Sequence, residues 1–408
     1  MGAGDAFDML LERLPATAAA RETAGLSACL GRYLARVVVS PEEVPAFPRS
    51  TMDGFAVRAA DTFGASEASP SYLNVTGRVL MGQAAEIALE AGQAAHIPTG
   101  GMMPAGADAV VMVEYTSMLD ESTLEVTRAA GPGENVVAAG EDIRGGEVLL
   151  AAGHRLGPYD LGALAAIGVT EVEVWKRLRV GILSTGDELV AAGQKPEPGQ
   201  VRDINYHALA ALVARSGGEP VRLGICPDNM EILERTLREA LSHCRIILIS
   251  GGSSVGAADL TPAAINRLGP PGVLVHGLSI KPGKPTIIGL SGEVPIFGLP
   301  GHPVGALDVY GLLVDPLIRF LLSGARERGP CFRLKAKLGR SISSVSGRED
   351  RVRVSLEWRD GETWAQPLLG KSGLISLMTR ADAVAVIPLD AEGAAQGDEV
   401  EVEPLFRL

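Results

Sequence analysis

Acidic residues follow several apolar runs in the central part of the chain. Asp187 and Glu188 come directly after the run RVGILSTG, and Asp203, Asp228 and Asp259 lie after or close to further runs. Grouped carboxylates suit Mg²⁺, which proteins commonly bind through one or two carboxylates together with substrate phosphates. Taken singly, each acid is more typical of a helix N-cap or a solvated surface, and Asp228 is the clearest candidate for a cap.

A glycine-rich segment, SGGSSVG, follows the apolar run RIILIS. It contains Ser250, Gly251, Gly252, Ser253 and Ser254. Small side chains and several backbone amides form a concavity that suits a phosphate or another oxyanion. Alone, such a segment is more typical of a tight turn between a strand and a helix. Since Asp187 and Pro300 also lie in polar loops after apolar runs, three such loops together favour a ligand site.

Two lysines lie in the segment KPGKP. Lys281 and Lys284 alternate with prolines, which stiffen the loop just before another apolar run. A rigid pair of ammonium groups suits an oxyanion, whereas two exposed loop lysines explain the segment equally well. The segment by itself leaves both interpretations open.

The elements that position these residues form an α/β pattern from residue 179 onward. The apolar runs RVGILSTG, RIILISGG, KPTIIGL and VPIFGLPG are separated by helical patterns around residues 209–213 and 232–241. Nearly continuous apolar strands that alternate with helices predict a mostly parallel sheet covered on both faces. Ligands bind such sheets beyond the carboxyl ends of the strands, so the loops and acids above should meet at one edge.

Other patterns precede and follow this region. Apolar residues spaced by three and four predict amphipathic helices over residues 5–14 and 26–35. After Pro45, short β-prone runs alternate with turn residues, which predicts a small β-rich domain ending near Gly140. Past Gly324, the alternating runs RVRVSLEW, AVAVIPL and DEVEVEPL predict a compact all-β terminal domain.

Composition limits the classes of function. A chain of 408 residues exceeds the size of one hydrophobic core, and 46% apolar with 21% charged residues is ordinary globular usage. A formal net charge of −12 argues against nucleic acid or an anionic membrane as the main partner. Four widely spaced cysteines indicate small core residues in a reducing compartment. Without a secretory pattern at the N-terminus, we expect a cytoplasmic protein. The apolar stretch 305–322 contains Asp308 and Asp315, which indicates a buried helix rather than a membrane span.

Several motifs resemble those of the MoeA/gephyrin family, and the resemblance covers nearly the whole chain in the family's order. In the first half the similar motifs are MDGFAVR at 52–58, IPTG at 97–100, GADAV at 106–110 and GED at 140–142. In the second half they are TGDEL at 185–189, SGGSSVG, KPGKP and FGLPGHP at 297–303.

The resemblance implies a four-domain subunit and an elongated homodimer. The domains would be an α/β domain, a linker domain, a β-rich inserted domain and a C-terminal small β-barrel. Their expected bounds are 1–26 with 174–325 for the α/β domain, 27–45 with 141–173 for the linker domain, 46–140 for the β-rich domain and 326–408 for the barrel. The active site would join the α/β domain of one subunit to the β-rich and terminal domains of its partner.

The resemblance also implies a reaction. Adenylylated molybdopterin and molybdate would be the substrates, Mg²⁺ the cofactor, and AMP with the molybdenum cofactor the products. The residues implied as catalytic are Asp53, Asp142, Glu188, Asp259, Lys281 and Lys284. Those implied in cofactor binding are Thr99, Ser250, Gly251, Gly252, Ser253, Ser254, Asp228, Pro300, Arg348 and Ser376. Those implied as metal ligands are Asp187, Glu188 and Asp259. Arginine suits a tetrahedral oxyanion because its planar fork donates two hydrogen bonds at once.

Five positions depart from the family pattern, one of which is Ile375 in place of the first serine of a terminal SSL motif. His302 and Gly305 stand where the pattern gives Asn and Ser, Ala257 replaces an acid, and Ile204 replaces a hydroxyl residue. These departures support one rival, a pterin-binding paralogue or scaffold without insertion activity. A second rival is an enzyme of the pterin-activating adenylyltransferase type, which would need only the central segment. Contact with such an adenylyltransferase is a further expectation, whereas no nucleic acid or membrane partner is expected.

Overall fold

The structure, a computed structural model of the chain, describes residues 1–15, 19–251, 260–325 and 332–405. Its core divides into clusters that follow the predicted multi-domain architecture, and the α/β, β-rich and barrel components of the predicted fold class are confirmed. The exact domain bounds stay a prediction. Within the described ranges, no helix combines the length and apolarity needed to cross a membrane.

The central sheet contains four parallel strands and an antiparallel pair at one edge. The strand order is Glu219–Cys226, Arg179–Thr185, Ile246–Gly251, Val294–Leu299, Ile287–Ser291 and Pro271–His276. The prediction of a mostly parallel sheet is therefore confirmed. The short strands Leu189–Val190 and Val201–Arg202 pair beside it.

Helices cover both faces of this sheet, as the alternating pattern predicts. One face packs against helices Ala3–Leu11, Asn205–Arg215 and a long helix that spans Pro303–Val309, a π-helical turn Tyr310–Val314 and Asp315–Ser323. The other face packs against Met230–Leu241 and Leu260–Arg267. The predicted buried helix at 305–322 is thus confirmed.

The β-rich domain has a six-stranded sheet. Its order is Ala109–Met112, Gly54–Val57, Gln93–Ile97, Ser71–Arg78, Thr123–Val126 and Thr116–Met118. Short 3₁₀ turns lie at Ala59–Thr62 and Val113–Tyr115, and strands Arg49–Ser50 and Val136–Val137 pair with each other.

The linker region consists of strand pairs and one helix. Arg21–Gly25 pairs with Glu171–Trp175, Val38–Val39 pairs with Val148–Leu150, and the helix is Pro158–Ala166. The predicted helix over residues 26–35 is wrong, because only Leu26–Ala28 forms a single 3₁₀ turn. Gly31 then adopts φ +73°, and Leu34 bonds to His154 across the linker core. A left-handed glycine and cross-chain bridges replace the intrahelical bonds at this point.

The terminal domain is a closed five-stranded barrel. Its strands are Glu349–Arg359, Glu362–Pro367, Leu334–Leu338, Glu399–Pro404 and Ala383–Ile387, and the last pairs with the first. Ile342–Ser343 pairs with Gly393–Ala394, and Ser376–Arg380 is a short helix. Cys29, Cys226 and Cys244 are buried and free, as the sequence predicts, whereas Cys331 lies outside the described residues.

Candidate functional site

Four neighbouring strands of the central sheet end in register. Thr185 lies opposite Cys226 on one side and Gly251 on the other, and Ser250 lies opposite Leu299. The loops after these strands therefore start at one edge, as expected for parallel strands. Gly251 has φ +127°, and a Cβ there would lie 2.1 Å from the Thr185 carbonyl oxygen. Only glycine fits this close approach.

Asn205 connects two of these strand ends. Its Nδ2 donates to Ser250 Oγ at 2.7 Å and to the Gly301 carbonyl at 2.8 Å. Its Oδ1 is buried and has no hydrogen-bond partner in the described structure, and the same holds for Thr185 Oγ1. The sequence interpretation did not select Asn205, although it stands in the Asp-Ile-Asn run that departs from the family pattern.

Asp203 has a structural role at this edge. Its buried carboxylate accepts from Ser184 Oγ at 2.9 Å and from the Tyr206 backbone N–H at 3.2 Å. Because both oxygens are used in holding the strand to the start of the next helix, Asp203 is a weaker candidate for a metal ligand than its neighbours Asp187 and Glu188.

Asp187, Glu188 and Asp228 form an acidic group beyond the first strand. Asp187 Oδ1 accepts from the Asp228 backbone N–H at 3.1 Å. Partial burial raises the pKa of Asp228, and the negative charges of Asp187 and Glu188 raise it further. Asp228 is not the cap of the helix Met230–Leu241, because Asn229 Oδ1 accepts from the first-turn amides instead.

The charge of this acidic group fits a cation. Mutual repulsion among carboxylates is relieved by a divalent metal, which favours their ionised form. Within the described part of the chain, no three His, Cys, Asp or Glu side chains are arranged closely enough to hold a metal ion. Asp259, together with Gly252, Ser253 and Ser254, lies outside the described residues. The role of Asp187, Glu188 and Asp259 as metal ligands therefore stays a prediction.

The KPGKP loop lies against the terminal barrel. Ile280–Lys281 pairs in parallel with the start of the barrel strand Glu349–Arg359. Lys281 Nζ lies 3.6 Å from Asp350 Oδ2, and Arg348 donates to the same carboxylate from Nε at 2.7 Å and from Nη2 at 3.3 Å. The structure thus brings together two predicted anion-binding cations from different domains, around an acid that the sequence interpretation did not select.

Lys281, Arg348 and Asp350 form a cationic region. Pro300 and the first helical turn after it lie beside the loop that carries Lys281. A Cβ at Gly305 would lie 3.3 Å from Pro300 Cβ and 3.4 Å from the Gly283 nitrogen. Gly283 has φ +120°, and a Cβ there would meet Ile280 Cδ1 at 2.6 Å. Lys284 follows in an exposed position. A side chain at position 305 would therefore contact both the KPGKP loop and Pro300.

A serine of the terminal domain also reaches the α/β domain, but it is not the predicted one. Ser372 Oγ and His302 Nδ1 are 2.8 Å apart, and the Val304 N–H donates to the Ser372 carbonyl at 3.2 Å. Ser376 is exposed at the start of the short barrel helix, where its carbonyl accepts from Thr379 Oγ1. The role predicted for Ser376 stays a prediction, and Ser372 joins the candidates.

The candidate residues of the β-rich and linker domains make their described hydrogen bonds within those domains. The Thr99 N–H donates to Asp53 Oδ1 at 2.7 Å, and hydrogen bonds from Thr99 lower the pKa of that carboxyl. Asp142 is exposed, and its N–H donates to the Val44 carbonyl. Among the residues that the structure describes, no hydrogen bond or ion pair joins Asp53 or Asp142 to the α/β domain or the barrel.

Three family models match successive parts of the chain. One described as the MoeA N-terminal region (domain I and II) matches residues 3–168, and one described as a probable molybdopterin binding domain matches residues 181–319. A third, described as the MoeA C-terminal region (domain IV), matches residues 335–405.

Relatives with similar sequences span nearly the whole chain. A molybdopterin molybdenumtransferase of Haemophilus influenzae is 33% identical, over 98% of this chain and 97% of its own. One of Nostoc sp. is 35% identical, over 93% of this chain and 88% of its own. Among solved structures, a molybdopterin biosynthesis MoeA protein of Pyrococcus horikoshii is 32% identical with a TM-score of 0.83, over 98% of this chain and 99% of that one.

Proposed function

Because the chain belongs to the MoeA family of molybdopterin molybdenumtransferases, which acts in molybdenum cofactor biosynthesis, we propose that it inserts molybdate into adenylylated molybdopterin. The reaction releases AMP and gives the molybdenum cofactor. The observation that carries this proposal is that acidic groups, the Ser250 hydroxyl and cationic groups follow neighbouring strand ends of the central sheet. Asn205 links the end of strand Ile246–Gly251, at Ser250, to the loop that contains Pro300. The KPGKP loop with its lysines lies beside Pro300.

Each group has chemistry that suits one part of the substrates. The hydroxyl of Ser250 lies at a strand end, and this hydroxyl with the glycine-rich run that follows it in sequence would hold phosphate. Asp187, Glu188 and Asp228, with Asp259, would hold Mg²⁺, which would neutralise phosphate charge when bound. Lys281, Lys284 and Arg348 would hold molybdate, since charged N–H donors make the stronger hydrogen bonds to an oxyanion.

The remaining features of the proposal extend beyond the single chain. Asp53, Thr99 and Asp142 would complete the site from a partner subunit of a homodimer, since their described bonds stay within the β-rich and linker domains. The acidic net charge and the buried free cysteines support a cytoplasmic enzyme with neither nucleic acid nor membrane as partner. Transfer of the activated pterin from an adenylyltransferase by direct contact is part of the same proposal.

A reconstituted reaction tests the function. The purified full chain is mixed with adenylylated molybdopterin, molybdate and Mg²⁺, and both AMP and the molybdenum cofactor are measured. We expect both products, with AMP release stopped by chelation and by Glu188→Gln. Glu219→Gln is the matched control and should keep full activity. Glu219 stands at the start of the strand next to Arg179–Thr185, at the end of the sheet away from the candidate site.

The outcomes separate the rival functions. Pterin binding without AMP or cofactor would favour a scaffold and contradict the insertion reaction. Consumption of ATP and molybdopterin to form the adenylylated pterin would favour the adenylyltransferase. AMP release that survives thorough chelation would exclude the assigned role of the metal.

A further inference from the structure

Asp350 occupies the centre of the cationic region. Asp350 is only 2% exposed, and both of its carboxylate oxygens accept hydrogen bonds. Oδ1 accepts from Arg348 Nε, whereas Oδ2 accepts from Arg348 Nη2 and lies near Lys281 Nζ. A buried carboxylate thus holds a cation of the barrel and a cation of the α/β domain side by side.

The two cations keep an accessible side. The Arg348 side chain is 34% exposed and that of Lys281 is 58% exposed. The guanidinium has five N–H donors, and the bonds to Asp350 use one on Nε and one on Nη2. The hydrogens of Nη1 and the second hydrogen of Nη2 therefore remain for a ligand, in the fork geometry that matches an oxyanion.

We propose that Asp350 is a positioning residue that orients Arg348 and Lys281 as a two-cation clamp for a tetrahedral oxyanion. The identity of that oxyanion as molybdate rests on the proposed function. Without the negative charge between them, two neighbouring cations repel each other and their long side chains gain freedom in solvent. With it, the pair keeps one net positive charge and a fixed geometry before the ligand arrives.

The surroundings of Asp350 distinguish this role from that of a competitor for the cations. Its backbone is fixed on both sides, since Asp350 lies opposite Lys281 on one side and Ile387 of the barrel on the other. A carboxylate that is buried and held by strand pairing does not swing away to admit a ligand. The oxyanion therefore binds the outer faces of the cations, and Asp350 stays bonded behind them.

Direct binding of molybdate tests the clamp without depending on turnover. The full chain is dialysed to equilibrium against molybdate at low salt, and bound molybdenum is measured. We expect Asp350→Asn to weaken binding by about tenfold, because loss of a charged bond costs roughly that factor. Glu357→Gln, in an exposed pair with Arg359 on the same strand, is the control that should leave binding unchanged.

A double-mutant cycle separates positioning from a general structural effect. If Asp350 acts through Arg348 and Lys281, Asp350→Asn should weaken molybdate binding less in the Arg348→Ala background than in wild type, because only its effect on Lys281 then remains. Additive losses would overturn the proposal, and so would tighter binding by Asp350→Asn, which would make Asp350 a competitor. If Asp350→Asn does not fold, Arg348→Lys provides the test, because lysine keeps the charge but cannot make the two-bond grip. Binding as tight as wild type would then contradict the clamp.

The clamp and the proposed function can fail separately. Molybdate binding that depends on Asp350, in a chain that yields no cofactor from adenylylated molybdopterin, would retain the clamp and reject the insertion reaction. Cofactor formation by a chain in which Asp350→Asn changes neither molybdate binding nor the molybdate KM would retain the reaction and reject the clamp.

Discussion

The terminal barrel and the β-rich domain both carry predicted site residues, but they are attached to the α/β domain in different ways. The barrel shares strand pairing with Ile280–Lys281, and Arg353 Nη2 donates to the buried Asp308 Oδ1 at 2.6 Å. Residues 46–140 bond to the linker instead, for example from the Gly140 N–H to the Pro45 carbonyl at 2.9 Å. In the described part of the chain, no hydrogen bond or ion pair leads from 46–140 to the α/β domain or the barrel.

This difference indicates which half of the site one chain can build alone. The cationic half is assembled by contacts between the barrel and the α/β domain of the same chain, whereas the family resemblance implied a terminal domain from the partner subunit. Among the described residues, the half that contains Asp53 makes no hydrogen bond or ion pair to the α/β domain or the barrel, and its bonds lead to the linker. This contrast supports the proposed composite site.

The largest effect is expected from mixing two inactive variants. Asp53→Ala and Glu188→Ala should each abolish cofactor formation, because they remove groups from different halves of the same site. After subunit exchange, mixed dimers should contain one intact site of two, which restores about a quarter of wild-type activity for random pairing in a symmetric dimer. Cofactor formation is the measurement.

Two controls accompany the mixing experiment. Each variant exchanged with itself should stay inactive. Lys281→Ala mixed with Glu188→Ala should recover no activity, because both residues come from the same chain's half of each site. Recovered activity in this second mixture would contradict the idea that one chain builds the cationic half alone. No recovered activity in the mixture with Asp53→Ala would contradict the composite site.

A smaller but still large effect is expected at the buried ion cluster that fastens the barrel. Asp308 accepts from Arg353 and lies 3.8 Å from Arg351 Nε. Burial disfavours the charge of Arg351, but Asp308, Glu403 and Glu349 outweigh it and raise the pKa of that guanidinium. Asp308→Ala would leave two buried arginines without this partner, at a cost of about 3–5 kcal/mol in the free energy of unfolding.

Urea unfolding followed by tryptophan fluorescence measures this cost, since Trp358 and Trp364 lie in the barrel. Glu357→Ala is the matched control. It breaks an exposed pair with Arg359 on the strand that also carries Arg353, and should cost about 0–1 kcal/mol. Equal costs for the two variants would mean that the buried cluster does not fasten the barrel.

A few-fold effect is expected on the α/β side of the same junction. A side chain at Gly305 would lie against Pro300 and the Gly283 amide. Compared with Gly305→Ala, Gly305→Ser should tighten molybdate binding by about fivefold, since a neutral hydroxyl bond contributes on the order of 1 kcal/mol. Alanine controls for the added Cβ, and equal affinities for the two variants would place the oxyanion elsewhere.

The sequence predicts those parts of the fold that depend on local patterns. Continuous apolar runs predict the parallel strands, and the register of Thr185, Ser250 and Leu299 brings their loops to one edge. The helix predicted over 26–35 failed because apolar spacing does not reveal that Gly31 takes a left-handed conformation in the linker core. Similarly, a carboxylate before a helix suggested Asp228 as the cap, where Asn229 next to it makes the bonds.

The unpredicted site residues depend on contacts between domains. Asp350 becomes the centre of the cationic region only because a two-residue strand, Ile280–Lys281, pairs with the barrel. Asp308 and Ser372 likewise acquire partners from a domain distant in sequence. No local pattern encodes such pairings, whereas Lys281 and Arg348 could be named because they stand in family-like motifs.

The smallest effects, on stability against pH, compare the acids of the two regions directly. In Asp228 burial and its acidic neighbours raise the pKa, whereas in Asp53 hydrogen bonds from Thr99 lower it. A raised carboxyl pKa gives stability that is present at low pH and lost as pH rises through the folded-state value. A lowered pKa gives stability that is present at neutral pH and lost as pH falls through the folded-state value.

Without divalent metal, Asp228→Asn should therefore become more stable than wild type as pH rises, while Asp53→Asn should become less stable. Calorimetric melting at a series of pH values measures both, and added Mg²⁺ should raise the melting temperature of wild type more than that of Asp228→Asn. If the two variants change stability in the same direction, or if Mg²⁺ stabilises Asp228→Asn as much as wild type, the acids do not differ as their surroundings indicate, and Asp228 is not a metal ligand.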